Sequence, residues 1–171
     1  MSEFVKYTIW FVCLILLQEF LFNNIQFIHF LSPYVYILLI LILPFSAYPA
    51  YVMLIAFVLG LCVDIFSLGV IGAHAAACTA IAYCRNFVIK ISIPKSEYEN
   101  MITATALQIK LKSFASYAFI LVFLHHLTLF LLEIFSLQNF IFTLIRVIVS
   151  SLLSTIFIIL IQLLFKGKKE I

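Results

Sequence analysis

The sequence predicts an all-α integral membrane protein with six transmembrane helices in a single domain. Hydrophobic residues make up 66% of the 171 residues and charged residues only 10%, whereas a soluble domain is about half apolar and a quarter charged. The mean hydropathy is +1.26. Apolar runs recur along the chain, and most approach the roughly 20 residues that a helix needs to cross a bilayer. The chain therefore has room for several spans and none for a separate soluble domain.

Six apolar segments define the expected spans. The first is expected to be a retained anchor rather than a cleaved signal peptide, because Lys6 is balanced by Glu3 and no small-residue cleavage pattern follows. The second contains an apolar run of only about 12 residues, so a five-span arrangement stays open. Within the single membrane domain 1–171, the spans are placed at 4–22, 31–45, 49–66, 70–91, 114–135 and 140–165.

The distribution of basic residues favours six spans over five. Lys and Arg prefer cytoplasmic loops. With six spans and a cytoplasmic N-terminus, every Lys and Arg except Arg146 falls in a cytoplasmic segment, and Arg85 is counted among these. An odd number of spans would separate Lys6 from the basic C-terminal tail. Both termini are therefore predicted to be cytoplasmic.

The longest polar segment, 92–113, is then a cytoplasmic connector between the fourth and fifth spans. Pro94 followed by Lys95 and Glu97 is typical of a helix start. The segment is weakly amphipathic and is expected to lie on the membrane surface. It is either a solvated loop or a docking site for a cytoplasmic partner.

Five polar side chains are expected at membrane depth, where each is costly enough to require a reason. On the six-span map all five lie in the outer half of the domain, where they would line one cavity or form a buried ion pair. Arg146 is the only base among them, so Asp64 or Glu133 is its expected partner. Alternatively, the glutamates are hydrated at the interface and Arg146 extends outward. The five residues are Glu19, Asp64, His74, Glu133 and Arg146.

Other polar groups give no sign of a catalytic or metal site. His125 and His126 project about 100° apart on a helix, so one is expected to pack between helices and the other to face a partner. The four cysteines form no zinc-ligand spacing. Phosphate-binding loops, nucleophile elbows and HExxH motifs are absent from the sequence. No catalytic residue, metal or cofactor is predicted.

Small residues predict a close helix pair. Ala56, Gly60 and Asp64 are spaced by four residues, and Gly72, Ala76 and Ala80 repeat this spacing on the next predicted helix. Such small-residue faces let two helices approach closely in a membrane. Since the loop between them is short, the third and fourth spans are expected to form a tight antiparallel hairpin.

The same stretch resembles a known family. GLCVDIFSLGVIGAHAAACTAIAYCRNFVI combines a glycine, an aspartate four residues later, an aromatic-serine turn, a second glycine, a histidine-alanine pair and a distant arginine. This ordered set is similar to the MreD family of rod shape-determining proteins. The segments NNIQFIHFLSPYVYILLILILP and HHLTLFLLEIFS are similar to the corresponding parts of that family. The resemblance covers most of the chain.

The resemblance implies a non-enzymatic component of the bacterial cell-elongation machinery in the cytoplasmic membrane. Its implied partners are MreC, the MreB filament system and the RodA and penicillin-binding-protein pair. It also implies a fold similar to the substrate-binding subunits of energy-coupling-factor transporters.

That implied fold brings an alternative function, in which Asp64, His74, Glu133 and Arg146 hold a vitamin in an outer cavity. Two features weigh against transport. The first helix, WFVCLILLQEFLF, lacks the paired alanines expected for docking an energising partner, and the outer loops are short and hydrophobic.

Overall fold

The computed structural model describes residues 3–22, 32–67, 70–98, 109–133 and 140–166, and these are mostly helical. Helix α1 continues into a π-helical turn, Gln18–Phe22. The helices are α1 Glu3–Leu17, α2 Leu38–Ile42, α3 Pro49–Phe66, α4 Ala73–Ser92, α5 Lys95–Tyr98, α6 Leu111–Glu133 and α7 Phe140–Lys166.

Among the described residues, four helices are long and apolar enough to cross a membrane. They comprise Val5–Phe22, Pro49–Phe66, Leu111–Leu132 and Ile141–Leu164. This length and composition indicate a multi-pass membrane protein. The six predicted spans are not all recovered by this criterion. The second predicted span contains only the short α2, and the fourth, α4, is alanine-rich and carries basic residues.

The helices pack in an order that follows the chain. Helix α4 contacts both α3 and α6, α7 packs on α6, and α1 contacts α2 and α3. The core of this arrangement is the segment 35–43, in which every residue is at most 4% exposed. A helix that is apolar all round is one enclosed by other elements. Helix α2 is therefore a central segment wrapped by protein.

The helix predicted over 31–45 is corrected by the structure at its N-terminal side. Residues 32–35 are not helical, and α2 has only five residues. Pro33 lacks a backbone N–H and disfavours helical geometry in the residue before it. Non-helical backbone at membrane depth is tolerated where protein supplies the missing hydrogen bonds. Here the side chains of neighbouring helices supply them.

The two ends of the polar connector meet. Helix α5 starts directly after Pro94, as predicted. The Glu97 carboxylate accepts a hydrogen bond from the backbone N–H of Lys110 at 3.1 Å, and the Lys110 ammonium lies 3.6 Å from it. Residues 99–108 lie outside the described part of the chain. The chain thus enters α6 beside the end of α5.

Candidate functional site

Asp64, in the last turn of α3, caps the start of α4. Its Oδ1 accepts a hydrogen bond from the His74 N–H, and its Oδ2 accepts one from the Ala75 N–H, both at 3.0 Å. The first N–H groups of a helix have no partner within the helix, and a negative charge there matches the helix dipole. Gly72 precedes α4 with a φ of +91°, a conformation suited to glycine. The cap is thus supplied by the neighbouring helix.

This geometry corrects the expected ion pair between Asp64 and Arg146, whereas the side chain of the alternative partner, Glu133, lies outside the described residues. Asp64 is 2% exposed, and its two oxygens are directed at the start of α4. Arg146 has other contacts: its Nη2 donates to the Ser32 hydroxyl at 3.3 Å, and its guanidinium lies 4.4 Å from the ring centroid of Phe130. A cation over an aromatic face is a favourable arrangement when desolvated. This contact was not predictable, because the sequence does not show where the Phe130 ring lies.

Gly60 sets the distance between α3 and α4. A Cβ atom placed on Gly60 would lie 2.6 Å from the Ala75 nitrogen and 2.6 Å from the His74 carbonyl oxygen. Ala56, one turn earlier, is fully buried. The predicted small-residue contact is therefore present on the α3 side, and it brings the Asp64 carboxylate within reach of the α4 backbone.

The small residues of α4 play a different part from the one predicted. Ala75 meets Gly60, whereas Ala76 is exposed and Gly72 and Ala80 are half-buried. These residues form the floor of a groove of about 510 Å³ between α3 and α4, which we call the α3–α4 groove. Its lining consists of Met53, Phe57, Leu61, Gly72, Ala75, Ala76, Thr79, Ala80 and Tyr83.

A buried polar cluster joins the central segment 35–43 to α4 and α6. The Tyr36 hydroxyl lies 2.6 Å from His74 Nδ1 and 2.9 Å from His125 Nε2. The Cys78 sulfur lies 3.8 Å from the same His125 nitrogen. His74 is 5% exposed, and the other three are fully buried. The cluster therefore links the central segment to the helices on either side.

The number of hydrogens that Tyr36 and the two histidines carry limits how the hydrogen bonds of this cluster can be arranged. A tyrosine hydroxyl can donate one hydrogen bond, whereas a neutral imidazole has one N–H and one acceptor nitrogen. When Tyr36 donates to one histidine, it therefore accepts from the other. His125 Nδ1 is buried without a hydrogen-bond partner among the described residues. The three groups can thus exchange donor and acceptor roles without moving.

Arg85 lies in the core and not in a cytoplasmic loop, which corrects the sequence-based count. It is fully buried. Its Nη2 donates to the Leu43 carbonyl, Nη1 lies 3.4 Å from the Pro44 carbonyl oxygen, and Nε donates to the Tyr117 hydroxyl at 3.1 Å. The last carbonyls of a helix lack intrahelical partners. Arg85 therefore closes the C-terminal end of the α2 segment with donors from α4.

The N-terminal end of the same segment is closed from the other side. Gln18 Oε1 accepts from the Val35 N–H at 2.9 Å, and Gln18 Nε2 donates to the Pro33 carbonyl at 3.1 Å. The Ser154 hydroxyl accepts from the Tyr34 N–H at 2.9 Å. Together with Arg85, these side chains bond the free backbone groups at both ends of the central segment.

The two remaining predicted residues, Glu19 and Glu133, lie near helix ends. Glu19 is half-buried in the π-helical turn after α1. Glu133 ends α6, and its side chain lies outside the described residues. The expectation that one of the two adjacent histidines faces outward is wrong, because His125 and His126 are both fully buried. The two rings point in different directions, but α6 is packed between α4 and α7, so both rings are buried.

Tyr36, Arg85 and Gln18 were missed as candidates. For Arg85 a signal existed: it is spaced helically from the buried Cys78 and Ile81, which places it on the inward face of α4. For Gln18 and Tyr36 the sequence offered only isolated polar groups in apolar runs. Their partners are backbone atoms or side chains far along the chain.

Comparisons with protein families, with curated proteins and with solved structures found no match for this chain. Among the described residues, no group of His, Cys, Asp and Glu side chains could hold a metal ion. The described contacts provide hydrogen bonds between side chains and backbone groups of different elements.

Replacing Asp64 with alanine is expected to destabilise the protein by about 1–3 kcal/mol, because two buried N–H groups of α4 lose their acceptor. Asp64→Asn keeps one acceptor oxygen and should lose less. Thermal unfolding in detergent, followed through Trp10 fluorescence, measures both. Lys110→Ala, which removes only the exposed ammonium of an ion pair and keeps the backbone N–H, is the control. Recovery of stability in the double variant Asp64→Arg with Arg146→Asp would contradict this assignment.

Proposed function

We propose that this chain is a non-catalytic membrane component of the bacterial cell-elongation machinery, with a role like that of MreD. In this role it binds MreC and helps couple peptidoglycan synthesis by RodA and a penicillin-binding protein to the MreB cytoskeleton. The observation that carries the proposal is the ordered residue pattern from Gly60 to Arg85, together with the contacts that its members make.

The residues of that pattern support one another physically. Gly60 allows α3 and α4 to touch, Asp64 caps α4, and Gly72 starts that helix with a left-handed conformation. His74 and Arg85 then bind the central segment at Tyr36 and at Leu43. Each residue of the pattern makes a contact that stabilises the fold, and together these contacts build a scaffold. This supports a role in holding partners.

The proposed topology keeps six crossings with both termini in the cytoplasm of a bacterial inner-membrane protein. Helix α4 has 20 residues, which gives a length of about 30 Å, enough for the hydrocarbon core. The segment that contains α2 is partly extended, and extended residues advance about 3.3 Å each. It therefore covers more depth than a helix with the same number of residues. Basic residues at the connector and the C-terminal tail support this orientation.

The α3–α4 groove is the surface that we propose for the membrane helix of MreC. The groove is lined in part by glycine and alanine, whereas the outward face of α7 carries bulky side chains such as Ile141 and Phe142. Helices associate in membranes where small residues allow close backbone approach, since burial of apolar surface gives little advantage in lipid. One helix is the occupant that fits this surface.

The transporter alternative has less support from these contacts. Asp64 and His74, which were candidates to hold a vitamin, are already bonded to the α4 backbone and to Tyr36. A ligand would have to displace those bonds. Co-isolation with an energy-coupling ATPase and a retained small molecule in native mass spectrometry, without association with MreC, would favour transport and overturn the proposal.

The direct test is association and cell shape. We expect the tagged full-length chain to co-purify with MreC from membranes of the source bacterium. Depletion of the chain should turn rods into round cells. Normal shape together with vitamin auxotrophy would contradict the role in elongation.

Replacing Ala76 with leucine is expected to leave the fold intact and to weaken MreC association at least about tenfold. Ala76 is exposed at the floor of the α3–α4 groove, so added bulk meets no core atom and instead keeps a partner helix away. Co-purification yield and unfolding temperature are measured together. Cys13→Leu, at an exposed position on α1, is the matched control. Equal loss of association in both variants would contradict the assignment of the groove.

A further inference from the structure

His126 has carbonyl oxygens at hydrogen-bond distance from both ring nitrogens. Nδ1 lies 2.9 Å from the Val122 oxygen, and Nε2 lies 3.1 Å from the Ser32 oxygen. The Ser154 hydroxyl lies 3.3 Å from the same Nε2. The ring is fully buried between α6, α7 and the extended residues 32–35. Nδ1 thus faces a carbonyl acceptor, whereas Nε2 faces one carbonyl acceptor and one hydroxyl that can donate or accept.

The protonation state of His126 decides which of these contacts is a bond. A carbonyl oxygen cannot donate, so the two carbonyls are both satisfied only when both nitrogens carry hydrogen, which is the imidazolium form. In the neutral form with Nδ1–H donating to Val122, Nε2 must accept. The donor available to it is the Ser154 hydroxyl, and the Ser32 carbonyl then faces a lone pair.

We propose that His126 is a proton-controlled latch on the extended segment 32–35. When the ring is protonated, Nε2–H donates to the Ser32 carbonyl and holds the segment against α6. When the proton leaves Nε2 and Nδ1–H remains bonded to the Val122 carbonyl, the Ser154 hydroxyl turns to donate to Nε2, and the Ser32 carbonyl is released. Ser154 also accepts from the Tyr34 N–H, so the same hydroxyl serves the segment in both states.

Several titratable or charged groups surround this ring. From α6 itself, the ring of His125 lies 5.7 Å away between centroids. From α4, His74 shares Tyr36 with His125 and lies 6.3 Å from it between centroids. From the extended segment, the Tyr34 ring lies 5.1 Å from that of His126.

Among the described residues, helix α7 contributes the charged neighbour Arg146. Its guanidinium and the His126 ring both contact Phe130, at 4.4 Å and 5.8 Å from the ring centroid. Arg146 also donates to the Ser32 hydroxyl. Burial of the ring and this cation oppose protonation of His126, whereas the two carbonyls favour it.

The test uses the full-length chain in nanodiscs with ¹⁵N-labelled histidine. We expect His126 to change from one protonated nitrogen to two as the pH falls from about 8 to about 3, since burial and the nearby Arg146 disfavour the charged ring and delay its protonation. Over the same range, amide protection factors at Tyr34 and Val35 should rise at least about tenfold, since a hydrogen bond from a charged donor is strong. A ring that stays singly protonated throughout, or a constant protection factor, would overturn the proposal.

Variants separate the latch from a general pH effect. His126→Gln cannot titrate, so the pH dependence of protection at Tyr34 and Val35 should disappear. His125→Gln, at the neighbouring buried histidine, should keep it. Persistence of the pH dependence in His126→Gln would refute the latch. If either variant fails to fold, the ¹⁵N measurement on the unmodified chain decides alone. Neither result depends on MreC binding.

Discussion

Replacing Arg85 with methionine is expected to cost about 3–5 kcal/mol of stability, the largest effect of any single substitution in the core. The guanidinium is fully buried and gives its N–H groups to the Leu43 and Pro44 carbonyls and to the Tyr117 hydroxyl. Methionine fills similar space and donates nothing. These acceptors would remain buried without a donor, and each such group carries a desolvation cost.

The measurement is the unfolding temperature in detergent, read from Trp10 fluorescence, with Lys90→Met as the matched control. Lys90 lies on the same helix and is exposed, so its loss should have little effect. Arg85→Lys should recover only part of the stability, because one ammonium cannot reproduce the planar fork that reaches several acceptors. Arg85→Met and Lys90→Met with equal unfolding temperatures would contradict the assignment.

Arg85 also shows where sequence reasoning reached its limit. The preference of basic residues for cytoplasmic loops placed it at a membrane boundary. That preference is a statistical one over many residues. Whether a single arginine is buried depends on whether hydrogen-bond acceptors lie within its reach. Here the acceptors are the backbone carbonyls at the end of α2, and every residue has such a group. No side-chain pattern can reveal which carbonyls are left free.

The helical class and most helix positions were predictable because apolar length is a strong signal. The start of the third predicted span, at residue 49, coincides with the first residue of α3. The second span was not predictable in the same way. Its apolar run fits a helix, yet its extended residues depend on hydrogen bonds from Gln18 and Ser154, which lie far away in sequence. Hydropathy does not report such partners.

Asp64 illustrates a partly successful prediction of the candidate site. Its position at a helix end next to a short loop correctly indicated a buried acid with a specific partner nearby. The chosen partner was a side-chain cation, because only side chains are visible as charges in a sequence. The start of α4 carries an equivalent positive character in its N–H groups and dipole. The close approach at Gly60 is what makes that partner reachable.

Replacing Gly60 with alanine is therefore expected to destabilise the protein by about 3 kcal/mol, the upper end of the cost of overpacking. The added Cβ would meet backbone atoms of His74 and Ala75, and these atoms cannot move aside as a flexible side chain could. Helices α3 and α4 would have to separate, and the Asp64 cap would weaken with them. Gly72→Ala is the control, since nothing lies within 4 Å of its added Cβ and only the left-handed conformation is penalised, by about 1–2 kcal/mol. Adding Ala75→Gly to Gly60→Ala should not restore stability, because the obstructing atoms remain. An unfolding temperature for Gly60→Ala equal to that of the unmodified chain would show that the two helices are not held together at this point.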